Sequence, residues 1–251
     1  MPAKYSLLNY KYKIGAVSYL NTKPLLYGIK QSPIFQNIEL IEAYPALLAK
    51  HLQEGTIDMA LLPVAAIQSI NQASIVSDYG IAADGAVASV SIFSQVPMEN
   101  IERVYLDYQS RTSVRLAEIL LRQYWKKEVV YIPATENYID YIVGANAGVI
   151  IGDRALKQLS NFNYVYDLAT AWKDYTGLPF VFAAWVSNKP LDVSFLDYFN
   201  KANAQGLKMI DQVVADTPFP YYDLKEYYTE NIHYLLDESK KEGLHHFLKL
   251  L

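Results

Sequence analysis

The sequence predicts an α/β protein folded as two lobes. Three observations carry that prediction: strand-like and helix-like runs alternate from residue 12 to residue 70, two long extended stretches interrupt the alternation, and a second alternating series lies between them. Strand–helix–strand alternation implies parallel sheets with helices on their faces.

Residues 12–17 read as the first strand and 24–30 as the helix after it, since proline is well suited to the first helical position. Residues 37–43 form a second strand, 45–54 a helix and 57–62 a third strand. That strand is apolar almost throughout, as a strand covered on both faces should be. Pro63 opens a helix through Ile70. Residues 80–94 break the pattern with an extended run in which small polar and apolar residues alternate. The second series places strands at 101–106, 128–132 and 147–151 and helices at 112–125, 135–143 and 154–160. Residues 178–187 are another extended apolar run, followed by helices at 191–214, 224–228 and 231–251. The two extended runs suggest a chain that crosses to a second lobe and returns. Residues 1–88 with 187–251 then form one lobe and 89–186 the other. Two such crossings permit hinge closure around a ligand.

The 251 residues suffice for one large domain or two of about 100–150 residues. With 52% apolar and 19% charged residues the composition is globular. A net charge of −4 and the lack of a basic run argue against a nucleic-acid or anionic-membrane partner, whose phosphates need a Lys/Arg surface. Cysteine is absent, which excludes disulfides, thiolate metal sites and a Cys nucleophile. Residues 1–13 lack the apolar core of a signal peptide and no apolar run is long enough to span a membrane, so the expected location is the cytoplasm. The four histidines, His51, His233, His245 and His246, fall on helical stretches and receive no role. No metal-ligand spacing, GxGxxG or P-loop occurs.

Three strand-to-helix turns and the lead-in to the returning run are candidate site elements. Gly15-Ala16-Val17-Ser18-Tyr19-Leu20-Asn21-Thr22-Lys23-Pro24-Leu25 puts the uncharged hydrogen-bonding groups of Ser18, Tyr19, Asn21 and Thr22 on one turn. In open α/β sheets, ligands bind outside the carboxyl ends of the strands at such turns, although the same residue types also cap helices. Ser110-Arg111-Thr112-Ser113 opens another helix, whose free N–H groups and dipole favour an anion such as a carboxylate. A plain N-cap with a solvated arginine is the alternative there. Asp153, in Gly152-Asp153-Arg154, is either an N-cap or a group that orients a neighbouring side chain or a substrate hydroxyl. Trp172, Tyr175 and Thr176 lead into the returning run. Aromatics there can cover a flat ring, with core packing as their commoner use.

Five segments together resemble one family. Val17-Ser18-Tyr19-Leu20-Asn21-Thr22-Lys23-Pro24-Leu25, Leu62-Pro63-Val64, Ser110-Arg111-Thr112-Ser113, Ile151-Gly152-Asp153 and Thr176-Gly177-Leu178-Pro179-Phe180-Val181 occur in the order seen in the chorismate dehydratases of the futalosine route to menaquinone. The likeness spans nearly the whole chain, and its first and last motifs are the specific ones. Arg115 departs from it, standing where a small apolar residue is commoner.

The resemblance implies a type II periplasmic-binding-protein-like fold with two crossover strands. It also implies a reaction, loss of water from chorismate to give 3-[(1-carboxyvinyl)oxy]benzoate, with no cofactor and no metal. On this expectation Asn21 positions the substrate and the substrate's own enolpyruvyl carboxylate takes the proton, with Asp153 as the alternative base. Ser110, Thr112 and Ser113, beside Arg111, bind carboxylate. Ser89 and Ser91, on the first crossover, offer hydroxyls, and strand alternation gives them one face. Tyr19 and Pro63 line the walls, and Ser18, Thr22 and Thr176 complete the substrate contacts. Two rivals remain at this level. One is a solute receptor for a small carboxylate, against which the missing export signal and lipidation cysteine argue. The other is the related 1,4-dihydroxy-6-naphthoate synthase, whose Pro-Asn-Asp turn and histidine are absent at the matching places.

Overall fold

The computed structural model describes residues 10–251, so most of the segment read above for a signal peptide lies outside the described residues. The chain divides into two discontinuous units. One comprises residues up to Ile81 with Ala183–Pro218 and Tyr234–Leu236; the other comprises Ala82–Phe182, Phe219–His233 and Asp237–Leu251.

The first unit begins with β1 (Tyr12–Ala16), α1 (Lys23–Gln31), β2 (Ile38–Glu42), α2 (Pro45–Gln53) and β3 (Met59–Pro63). β1 pairs in parallel with both β2 and β3, as the alternation predicts. β3 is buried from Met59 to Leu62 because α2 covers one of its faces. Leu48, Leu52, Ile57, Ala60, Leu62 and Val186 form the core beneath α2. Pro63 does not open an α-helix: the following Val64–Ser69 is a 3-10 turn. β4 (Ser74–Ala83) then carries the chain into the second unit, and the later β10 (Phe180–Ser187) brings it back, antiparallel to β3. With β11 (His233–Leu235) the sheet order is β11-β4-β10-β3-β1-β2.

The second unit holds β5 (Val90–Ser94), β6 (Arg103–Leu106), α3 (Arg111–Gln123), β7 (Val130–Pro133), β8 (Asn146–Ile151), α4 (Gly152–Gln158), β9 (Tyr164–Asp167) and α5 (Leu168–Thr176). Its sheet order is β7-β6-β8-β5-β9, parallel across β7-β6-β8 and antiparallel where β5 meets β8 and β9. α3 buries Leu116, Ala117, Ile119, Leu120 and Leu121, the apolar stripe of an amphipathic helix.

Several elements differ from expectation. The extended run 80–94 is two strands, because positive φ at Gly85 and Ala88 turns the chain between them. Ser91 therefore lies on a central strand of the second sheet and Ser89 just before it, not on a crossover. β9 and α5 escape sequence reading, and residues 135–143 form only a 3-10 turn, Tyr138–Tyr141. The helix expected over 191–214 is two, α6 (Val193–Leu207) and α7 (Ile210–Ala215). Beyond the short α8 (Leu224–Glu226), the helix expected over 231–251 is β11 followed by α9 (Glu238–Lys249), split where the Asp237 carboxylate accepts from Lys240 N at 3.1 Å.

The largest difference is in domain membership. Residues 219–233 and 237–251 belong to the second unit rather than to the lobe of residues 1–88. Packing explains it. Phe247 of α9 meets Phe180 edge-on at 4.9 Å and Trp172 at 6.1 Å, and Asn231 Nδ2 donates to Ala86 O at 3.2 Å.

Candidate functional site

In the first unit, the β1–α1 connection is a 3-10 turn, Leu20–Thr22, entered through Tyr19 in extended conformation. Thr22 is buried, and its hydroxyl lies 2.8 Å from both Val17 O and Tyr19 O, sharing its proton between them. Thr22 thus fixes the turn from inside. Asn21, beside it, is half-buried, yet its Oδ1 is buried with no hydrogen-bond partner among the described residues. An unsatisfied buried acceptor costs roughly 1–3 kcal/mol, so the turn holds a hydrogen-bonding group that the protein itself does not use. Ser18 is exposed and lines a cavity of about 190 Å³ with Thr22, Lys23, Lys30, Glu42 and Asp216. Its two lysines are offset by two carboxylates, a poor match for a dianion. Pro63 sits at the end of β3, opposite Ala183.

In the second unit, Ser110 caps α3: its Oγ accepts from Ser113 N at 3.1 Å and lies 2.9 Å from Ser113 Oγ. Ser110, Thr112 and Ser113 are all buried, whereas Arg111 is exposed. Directly before this turn lies a charge network that spacing does not reveal. The Asp107 side chain is fully buried and bonded by Arg154 Nη2 at 2.7 Å. Its other oxygen accepts from Gln109 N at 2.7 Å. The Tyr138 hydroxyl shares its proton between Asp107 Oδ2 at 2.7 Å and Val149 O at 2.6 Å. Burial pushes the Asp107 carboxyl above its ordinary range, against the opposing pull of the Arg154 charge and these hydrogen bonds. The Arg154 guanidinium also stacks 5.2 Å from the centre of the Tyr108 ring. Asp107 and Arg154 are 47 residues apart, so only the fold brings them together.

The third element is the loop ahead of β5. Asp167 accepts from Val87 N at 3.0 Å and Ala88 N at 2.8 Å, and also from Ala169 N and Thr170 N at the start of α5. Ser89 and Ser91 are both fully buried. Ser89 Oγ lies 2.7 Å from the Tyr227 hydroxyl, while Ser91 Oγ has no partner among the described residues. Asp153 is not an N-cap: Ile151 holds the N-cap position of α4, with no side-chain cap bond, and Asp153 follows Gly152 in the first turn. Its charge reaches Tyr227 and Tyr228. Burial first, and that charge after it, hold both phenols well above their ordinary range. Tyr227 and Tyr228, which sequence reading did not single out, begin a π turn, Tyr227–Asn231, a feature frequent at functional sites. Thr176 closes α5, its Oγ1 donating to Trp172 O at 2.8 Å and accepting from Leu178 N at 3.1 Å. Trp172 is wholly core, and Tyr175 is exposed. Among the described residues no cluster of three metal-ligating side chains occurs, and no helix is long and apolar enough to cross a membrane.

Two α/β units, linked within β4 and β10 and carrying their polar residues on strand-to-helix turns, define the class: this is the periplasmic-binding-protein fold. The CA3427 gene product of Candida albicans, described as having that generic fold, superposes with a TM-score of 0.63 at 14% identity, over 96% of this chain and 89% of that one. Protein AF1704 of Archaeoglobus fulgidus gives a TM-score of 0.77 at 14% identity over 97% of both chains. Within this class the chain belongs to the menaquinone biosynthesis family, whose model matches residues 12–251. Two relatives bear the name chorismate dehydratase. The protein of Thermus thermophilus is 26% identical over 96% of this chain and 95% of its own, and that of Campylobacter jejuni is 29% identical over 94% and 95%.

Proposed function

We propose that this chain is a chorismate dehydratase, a carbon–oxygen lyase converting chorismate to 3-[(1-carboxyvinyl)oxy]benzoate in the futalosine route to menaquinone, in the cytoplasm and without a cofactor. The observation that carries the reading is the near full-length match to two relatives of that name. The chemistry suits the residues. The ring hydrogen beside the enolpyruvyl ether is acidified through the alkene conjugated to the ring carboxylate, and departure of the adjacent hydroxyl completes a benzene ring. Aromatisation supplies the driving force, leaving orientation and exclusion of water to the protein.

In this reading Ser110, Thr112, Ser113 and the N–H groups at the start of α3 hold a carboxylate. Ser89 and Ser91 offer hydroxyls, and Tyr19 and Pro63 supply walls. Asn21 Oδ1, buried without a partner, hydrogen-bonds the substrate. The proton passes to the substrate's own enolpyruvyl carboxylate and leaves with the hydroxide as water. Thr22 and Thr176 act on their own turns rather than on the substrate.

The test is to mix purified protein with chorismate and follow absorbance and mass. Loss of one water per molecule supports the dehydratase. Chorismate bound tightly but intact would make the chain a binding protein, and turnover of cyclic dehypoxanthine futalosine instead would make it a naphthoate synthase. Asp153→Asn is expected to retain its rate within about threefold; a loss of about 10²–10⁴ would assign the proton to Asp153.

A further inference from the structure

The loop before β5 is held by hydrogen bonds from several elements. Ala88 adopts φ +60, a conformation that costs an L-residue energy and persists only where its surroundings impose it. Here they do. The Asp167 carboxylate grips Val87 N and Ala88 N, Asn231 donates to Ala86 O, and Tyr222 in turn bonds Asn231 Oδ1 at 3.0 Å. What this strain delivers is Ser89. Its N–H donates to Val87 O at 2.7 Å and its carbonyl accepts from Gly152 N at 2.7 Å, so its backbone is fixed from both sides.

Of the polar groups of Ser89 only the hydroxyl is not bonded to backbone, and Tyr227 determines how it is used. The Tyr227 ring is wholly buried on the π turn, and burial keeps its phenol protonated at all ordinary pH. A phenol is a better donor than an aliphatic alcohol, so the 2.7 Å bond runs from Tyr227 to Ser89 Oγ. With its lone pair engaged, Ser89 has its own proton left to give, and no other partner for its Oγ is found among the described residues. We propose that Tyr227 is a positioning residue that commits the Ser89 hydroxyl to act as a donor towards a substrate oxygen. This rests on the dehydratase reading and on Ser89 touching chorismate. The π turn serves to bring Tyr227 under the Ala86–Ser89 loop, tied there by Asn231.

A double-mutant cycle on chorismate turnover tests this, using full-length wild type, Ser89→Ala, Tyr227→Phe and the double variant. If Tyr227 acts through Ser89, each single variant lowers kcat/KM about tenfold, and the double variant is no worse than Ser89→Ala alone. A purely structural role for the phenol would cost the same factor whether or not Ser89 is present, and that additive outcome overturns the proposal. So does a Tyr227→Phe variant with wild-type kinetics, or a Ser89→Ala variant that turns over normally. Wild-type protein that leaves chorismate unchanged would overturn the dehydratase reading itself, and this inference with it; activity in the wild type separates the two failures.

Discussion

Replacing Asn21 by alanine is expected to lower kcat for chorismate about 100-fold while changing KM no more than about threefold, and to leave the protein at least as stable as before. The two halves of this prediction have one origin. Asn21 Oδ1 is a buried acceptor without a partner on a turn whose other polar group, Thr22, is spent on the backbone. Removing such an acceptor relieves a desolvation penalty of roughly 1–3 kcal/mol. A group kept at a cost to stability is characteristic of a site where function opposes folding. Steady-state kinetics and a thermal melt on the same preparation check both halves. A normal kcat would remove Asn21 from the mechanism, and a large fall in melting temperature would reassign it to the fold.

The second large effect is on stability. Arg154→Met is expected to destabilise the protein by about 3 kcal/mol at neutral pH, since it leaves the fully buried Asp107 carboxylate without its cation. The deficit depends on pH, and its sign follows from the direction of the shift. Burial already raises Asp107 above its ordinary value of 3.8, and losing Arg154 removes an interaction that lowers it. The folded variant therefore binds a proton that the unfolded chain releases. Its deficit should shrink as pH falls from the variant's folded value towards the wild type's lower folded value, the unfolded chain's titration being common to both. Urea titrations of both proteins at pH 7 and pH 5 measure this; a deficit that stays constant or grows on acidification would show that the Arg154 charge is not what Asp107 requires. Because Asp107 also holds Gln109 N, the same substitution should loosen the turn that presents Ser110 and Ser113.

How far the sequence could be read follows from which forces are local. β1 to β3 were legible because apolar runs, proline starts and intervening polar turns are recorded within a few neighbouring residues. β9 was not: four residues, Tyr164 to Asp167, at an edge of the sheet carry no buried run to announce them. The expected C-terminal helix ran through Asp237 because helix-forming residues flank it, and only the cap geometry reveals the break. The polar turns were recognisable as such, but not what their hydroxyls do. Thr22 and Asn21 look equally available in the sequence, whereas the fold turns one inward onto its own carbonyls and leaves the other's oxygen without a partner. Asp107–Arg154 and Ser89–Tyr227 are 47 and 138 residues apart, and nothing in their spacing predicts either pair.

The passage of the chain between units at 81–82, 182–183, 218–219, 233–234 and 236–237 has a consequence for synthesis. On the ribosome, neither half can close its core early. The first awaits Tyr234–Leu236, and the second awaits Phe247, which covers Trp172 and Phe180. Until Phe247 emerges, Trp172 and Phe180 lack that cover, and uncovered aromatic surface invites aggregation or chaperone capture. Cutting the gene into two separately expressed halves should fail for the same reason, because each unit takes segments from both sides of such a cut.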